Sequence, residues 1–475
     1  MAKEDNHCTA GHREGEETLE FLLEASRTSE GRARLASTGT LAAALRRLSD
    51  ESTPSLLPWL RLIRNLCAGE TANQDAFVEL GGPDRIASVL LRNPPAPREV
   101  VRVALQVLGN AAADGELHRS AVWSRFFPTL FLEVVQYREP AVCDPLCMVL
   151  DTCCSSEGGR QRLAQLCEIE TGLPILLEII STACGAHHKE DWFYWLLCKV
   201  CIEEPYFSRV FIGLGSPCDL DNSAEDECQY MLFTREQSFL LEMLTEYLRD
   251  RPGDVTSISN HFVLEVLKVL KGASAIVDFT SRGNSDVPTG SPAVDALGYS
   301  LIILRHICAW ANDISHAAEA HIDSLVSAGL LQLLLCLLGE LEPPAIIRKS
   351  MMNARGHSGQ PSSSVKLCPY KGFRKDLVSV IANCLHGRKQ VQDEIRRQKA
   401  ISLLLQQCVV DEDNPLLREW GLWSIRNLLE ENVENQQEVA ELQLQEPVNT
   451  PEMDSIGLRV EIDEKTGRPK LVNIA

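Results

Sequence analysis

The run GFRKDLVSVIANCLHGRKQVQDEI (372–395) is followed by REWGLWSIRNLLEENVENQQEV (418–439), and the two are copies of one phrase. Each has an apolar helix ending in Asn, a polar turn, and then a Gln-rich helix start. Asn383 and Asn427 lie 44 residues apart (427 − 383). The same phrase stands near the N-terminus as WLRLIRNLCAGETANQDAFVEL (59–80) and ALQVLGNAAADGELHRSAVW (104–123), where Asn65 and Asn110 are 45 apart (110 − 65). A period of this size marks a helical repeat array, in which each unit buries its apolar face against its neighbours.

Within one period the sequence reads as three helices. NQDAFVELGG is short and closed by Gly81–Gly82, PDRIASVLL is a second helix, and VVRVALQVLGN is a third and longer one after the turn RNPPAPRE. Three helices per unit fit armadillo better than the two-helix HEAT unit, so the expected fold is all-α, an armadillo-like (ARM/HEAT) right-handed α-solenoid.

The array is expected to divide as follows. A disordered N-terminus covers 1–17, N-terminal repeats 18–182 and divergent helical repeats 183–277. A flexible loop at 278–296 precedes further helices at 297–341, with Gly329 in the place of Gly82, and a second flexible loop covers 342–367. The paired repeats fill 368–441, and 442–475 is a polar tail. There Leu458, Val460 and Ile462 alternate with polar residues, so a short hairpin fits.

Composition narrows the function. Among 475 residues the formal net charge is −20, so phosphate-backbone binding lacks its usual counterion-release drive. Nucleic acid is a poor partner, and a basic or extended protein segment is a better one. Seventeen Cys without a secretory leader suit a reducing compartment, where thiols act as small apolar residues. No apolar run reaches roughly 18 residues, because even Leu330–Leu338 is interrupted by Gln332, so no membrane insertion is expected. A cytosolic protein is expected, with a perinuclear position open to it, and self-association is compatible with the array.

No phosphate-cradling GxxxxGK[ST], GxSxG or HExxH occurs, so no catalytic residue and no cofactor is assigned. Cys198 and Cys201, with His187 and His188 nearby, lack a second ligand pair and lie in an apolar helix. They read as core thiols rather than metal ligands.

Candidate protein-binding residues come from the third helices. On a wheel of Glu419–Leu429, Leu422, Ile425 and Leu429 share one arc, read as the core stripe, while Trp420, Trp423 and Asn427 share another. Asn65, Asn110, Asn383 and Asn427 are read first as helix-end residues satisfying free carbonyls. The second reading is a polar ladder with Arg61, Arg64 and Arg426 as charged neighbours. Trp423 and Asn427 have the W-x-x-x-N spacing by which importin-alpha-like proteins present these side chains to a peptide, so a transport adaptor is the alternative function. Against it, the residues four before Asn65, Asn110 and Asn383 are Arg61, Gln106 and Ser379.

At CPYKGFRKDLVSVIANC, RKQVQDEI and DEDNPLLREWGLWSIRNLLEENVENQQEV the sequence resembles the ataxin-10 family, specifically over Cys368–Glu441. The likeness extends more weakly to GLRVEIDEKTGRPKLVN and to RNLCAGETANQ; it does not by itself assign 185–365. The resemblance implies an armadillo-like, cytoplasmic, non-enzymatic protein acting through protein partners. Family members are associated with cytokinesis and cell-division control, and animal members with neurite outgrowth and with stimulating protein O-glycosylation through a partner transferase. The wording is closer to plant-type members, which leaves cell division as the transferable role. No binding residue is carried over, because the family's binding surfaces are not defined by a motif.

Overall fold

In the computed structural model the described residues are 18–50, 53, 55–92, 95–155, 158–187, 189–215, 233–251, 258–310, 316–348, 365–442, 453, 457–463 and 469–473. The expected disordered N-terminus (1–17), most of the second expected loop (342–367) and His188 lie outside them. The chain is all-α and armadillo-like, and divides into two compact units, the first running to Phe262 and the second from Val263.

In the first unit a helix over 18–25 precedes α1 (Ser29–Ala36), α2 (Thr40–Ser49) and α3 (Leu57–Leu66). Two further triplets follow: α4 (Thr71–Glu79), α5 (Gly82–Leu90) and α6 (Arg98–Ala112), then α7 (Glu116–Phe126), α8 (Thr129–Val135) and α9 (Pro140–Cys154). Next come α10 (Gly159–Leu166), α11 (Leu173–Ala186) and α12 (Asp191–Cys198), which runs on through a π-helical turn at Lys199–Glu203. The divergent stretch holds α13 (Phe207–Gly213), α14 (Arg235–Asp250) and α15 (Asn260–Ile276), inside which the unit boundary falls. The third helices α3, α6, α9 and α12 pack in that order. In α6, Val101, Val103, Ala104, Leu105, Val107 and Leu108 are fully buried. Burial on this scale contributes about 1.5–3 kcal/mol for each large apolar side chain before chain entropy is subtracted.

Gly81 precedes α5 with φ 66°, and Gly329 precedes the corresponding helix of the second unit with φ 88°. Both sit in the left-handed region, where a side chain is strained. The counterpart of Gly329 is therefore Gly81, one residue before the expected Gly82, which is already helical and packs against the Phe77 ring.

The second unit contains α16 (Pro292–Trp310), α17 (His316–Ser327), α18 (Leu330–Glu340), α19 (Phe373–Leu385), α20 (Lys389–Arg397), α21 (Ile401–Leu405), α22 (Leu417–Leu429) and α23 (Val433–Glu441). Here α16, α19 and α22 form the succession of long helices. The tail forms an antiparallel hairpin, β1 (Leu458–Ile462) with β2 (Pro469–Asn473), in which Val460 pairs with Leu471.

One expectation is corrected. The loop expected to be flexible at 278–296 is anchored over 279–290 and becomes helix at Pro292. Leu367 N–H donates to Phe279 O and Gly283 N–H to Cys368 O, while Thr289 and Gly290 N–H donate to the Asp295 carboxylate. Pro/Gly/Ser composition signalled irregular backbone correctly but could not reveal these distant partners. Pro292–Ala309 is long and apolar enough, by length and composition, to cross a bilayer, although Asp295 and Arg305 interrupt its apolar run. In this structure Ala296, Leu297, Leu301, Ile303, Leu304 and Ile307 of that helix are buried within the unit.

Candidate functional site

A helix leaves its last carbonyls without intrahelical partners. Asn110 and Asn427 address this shortage across repeats by reaching last-turn carbonyls, whereas Asn383 reaches a carbonyl inside α16. Asn110 Nδ2 donates to Arg64 O at 2.9 Å, Asn383 to Arg305 O at 3.1 Å, and Asn427 to Ala382 O at 2.9 Å. Arg64 and Ala382 each immediately precede the Asn of the previous third helix. Asn65, in the first such helix, donates to Ser26 Oγ instead.

The next helix completes the joint. Eight residues after Asn65 and Asn427 (73 − 65, 435 − 427), Asn73 and Asn435 donate to Leu66 O and Leu428 O, both at 2.9 Å. Gln74 and Gln392 donate to Asn110 O at 2.7 Å and Asn427 O at 2.8 Å. The Gln-rich helix start is thus part of the same joint.

These bonds decide which candidates remain accessible. Asn427 is 1% exposed and Asn383 is buried, with the amides of both committed. Asn65 and Asn110 are half-buried. In the first unit Arg61 is exposed beside Arg64, which hydrogen-bonds Gln106 Oε1 at 3.1 Å and Asn65 Oδ1 at 2.9 Å. Burial first, and then the neighbouring Arg102 and Arg61, hold the Arg64 guanidinium below its ordinary value. This is a locally basic face on an acidic chain.

In the second unit the helix carrying Trp420, Trp423, Arg426 and Asn427 is oriented otherwise than the wheel implied. Its buried stripe is Leu417, Gly421, Ser424, Asn427 and Leu428. Gly421 is required there, because a Cβ would lie 2.5 Å from Gln407 O. Leu422, expected in the core, is 56% exposed, while Ile425 and Leu429 are half-buried. Trp423 is 45% exposed with Arg426 over its ring at 4.9 Å, and Trp420 is half-buried. Trp423 and Asn427, read as sharing a face, are divided between solvent and the inter-repeat joint.

The physical reason lies one repeat earlier. At the 44-residue offset, Leu422, Trp423 and Arg426 correspond to Val378, Ser379 and Ala382, all of which are fully buried in α19, the helix on which α22 packs. On α22 the equivalent face lacks a third helix of its own repeat order among the described residues. The 44-residue alignment contained this signal, since it places Leu422 on the side that receives the following repeat.

Other candidate chemistry is absorbed by the core. Cys198 and Cys201 are buried, and His187 is exposed with Arg235 Nη2 at 3.1 Å from its Nε2. A broad, open groove of about 1040 Å³ in the second unit is lined by Asp323, Gln332, His386, Arg388, Glu394 and Arg397.

Residues 373–472 match the family model described as the spinocerebellar ataxia type 10 protein domain. The chain is 24% identical to ataxin-10 of Xenopus tropicalis over 430 residues, covering 87% of this chain and 80% of that one. It is 36% identical to an ataxin-10 homolog of Dictyostelium discoideum over 104 residues, covering 22% of this chain and 17% of that protein. A designed armadillo repeat protein aligns at 11% identity with a TM-score of 0.24, covering 82% of this chain and 99% of that one.

Proposed function

We propose that this chain, similar to ataxin-10 along most of its length, is a non-enzymatic armadillo-type scaffold that binds protein partners in the cytosol and acts in cytokinesis and cell-division control. The observation that carries the binding role is the open face of α22, where Leu422 and Trp423 are presented to solvent. One repeat earlier the same face is covered by a helix, so the occupant it suits is an amphipathic helix of a partner protein. An exposed indole beside an Arg, as Trp423 is beside Arg426, is the composition of binding hot spots.

The transport-adaptor alternative is disfavoured by the burial of Asn427, whose amide would have to reach a peptide backbone but is held by Ala382 O. The test is a Leu422→Glu/Trp423→Ala double variant of the full chain, compared with wild type for partners retained from native lysate and for rescue of division in cells lacking the protein. Loss of specific partners together with multinucleate cells supports the scaffold reading. A variant that keeps all partners and rescues division removes this face from the function.

A further inference from the structure

We propose that Asp75, Asp114 and His118 form a binding site for a divalent transition-metal ion, with Zn²⁺ as the species their chemistry favours. Asp75 lies on α4, Asp114 in the turn after α6, and His118 in the first turn of α7, so the three groups come from consecutive repeats of the first unit. One ligand atom from each lies within 4.8 Å of the other two. His118 Nε2 is 3.1 Å from Asp75 Oδ1, and Nδ1 is 3.9 Å from Asp114 Oδ2.

The imidazole is the decisive group. His118 is 6% exposed, and its buried Nδ1 has no hydrogen-bond partner. A neutral imidazole donates from one nitrogen only. Donation from Nε2 to Asp75 turns the Nδ1 lone pair toward the Asp114 carboxylate, and the other tautomer sets Nε2 against Asp75. Either way two acceptors face each other, the ring buried and both carboxylates at the surface, an arrangement that a cation resolves. Among the described residues neither carboxylate has a Lys or Arg within ion-pair distance, so their charge is available to an ion.

The set has the features of a metal centre. One imidazole nitrogen and two carboxylates suit Zn²⁺ and its neighbours in the first transition row better than Ca²⁺ or Mg²⁺, which take oxygen ligands. Asp75 is exposed, which leaves room for water to complete the coordination. Thr71 Oγ1 donates to Asp114 Oδ1 at 2.8 Å and orients that carboxylate, an outer-shell contact of the kind that positions metal ligands. The bound ion would tie α4 to α7 and make the stability of the first unit metal-dependent.

The experiment uses full-length protein stripped with chelator and then titrated with Zn²⁺ by calorimetry and with Co²⁺ by absorption. Wild type is expected to take up Zn²⁺ in the micromolar range, to give Co²⁺ d–d bands without a thiolate charge-transfer band, and to melt at higher temperature with Zn²⁺. The spectral criterion separates this site from the 17 cysteines. Asp75→Asn, at an exposed position, tests the site without threatening the fold and is expected to weaken binding about tenfold or more; His118→Gln abolishes the Co²⁺ bands. Three results overturn the proposal: no binding below 1 mM, equal affinity in Asp75→Asn, or a melting temperature that follows pH through the imidazole range but ignores Zn²⁺. The last identifies an imidazolium bridging the two carboxylates.

Discussion

Asn427 donates its side-chain amide to the main-chain carbonyl of Ala382 at 2.9 Å, joining two third helices whose contact residues are 45 positions apart. The same bond from Asn110 to Arg64 O shows that this joint, and not a partner surface, is where these amides are used. Truncation removes a donor and leaves a buried acceptor unpaired. Asn427→Ala and Asn110→Ala are each expected to destabilise their own unit by about 1–3 kcal/mol in urea denaturation. A change in partner affinity with unchanged stability would contradict the structural role.

Leu422 gives a test of opposite sign. A core leucine replaced by Ala costs about 2–5 kcal/mol. At 56% exposure, Leu422→Ala is expected to change stability by no more than about 0.5 kcal/mol. Gly421→Ala, its neighbour, forces a methyl toward Gln407 O and is expected to cost about 1–3 kcal/mol, as overpacking does. Thermal melts of the two variants side by side decide which face of α22 is inside.

A buried polar network anchors α19. Tyr370 donates its hydroxyl to Asp376 Oδ2 at 2.9 Å, and Arg305 and Lys375 reach Asp376 Oδ1 at 3.2 and 2.7 Å. Burial, and then the Asp376 charge, push the Tyr370 phenol well above its ordinary value, so it remains a donor at neutral pH. Tyr370→Phe is expected to lose about 1–2 kcal/mol and Asp376→Ala about 3 kcal/mol or more, because the latter strands the cations. Guanidinium denaturation of the two variants gives the ranking, and equal losses would argue against a shared network.

The first unit should be sensitive to alkali. Burial pushes the thiols of Cys67, Cys143, Cys153 and Cys167 up to about 12 from 9.0. The folded state therefore keeps protons that the unfolded chain releases above pH 9. This contribution to stability is complete below pH 9 and is lost as pH rises from 9 to 12, at about 1.4 kcal/mol per pH unit for each thiol. Melting temperature is expected to fall steeply above pH 9, and Cys67→Ala to make the slope shallower. A flat profile over that range would refute the protonated, buried thiols.

Much of the fold was legible because the repeat phrase is a local signal: an apolar helix, a terminal Asn and a polar turn return after 44 or 45 residues. What the phrase does was not legible from one helix. A wheel of α22 groups Leu422 with Ile425 and Leu429, but cannot say whether that stripe meets another repeat or solvent. The acceptors of Asn110, Asn383 and Asn427 lie 46, 78 and 45 residues away. The Asp75–Asp114–His118 group carries no compact motif either, since Asp75 stands 39 residues before Asp114 (114 − 75). Burial of His118 makes that cluster noticeable, and burial is not written in spacing.

The inter-repeat joint takes its acceptor from the main chain, and so it is blind to the side chain of the residue that supplies it. Arg64, Arg305 and Ala382 fill that role in turn, two carrying a positive charge and one a methyl group. Mechanical linkage and surface character are thereby uncoupled: successive units can change the chemistry they present to the outside while the fastening between them stays the same.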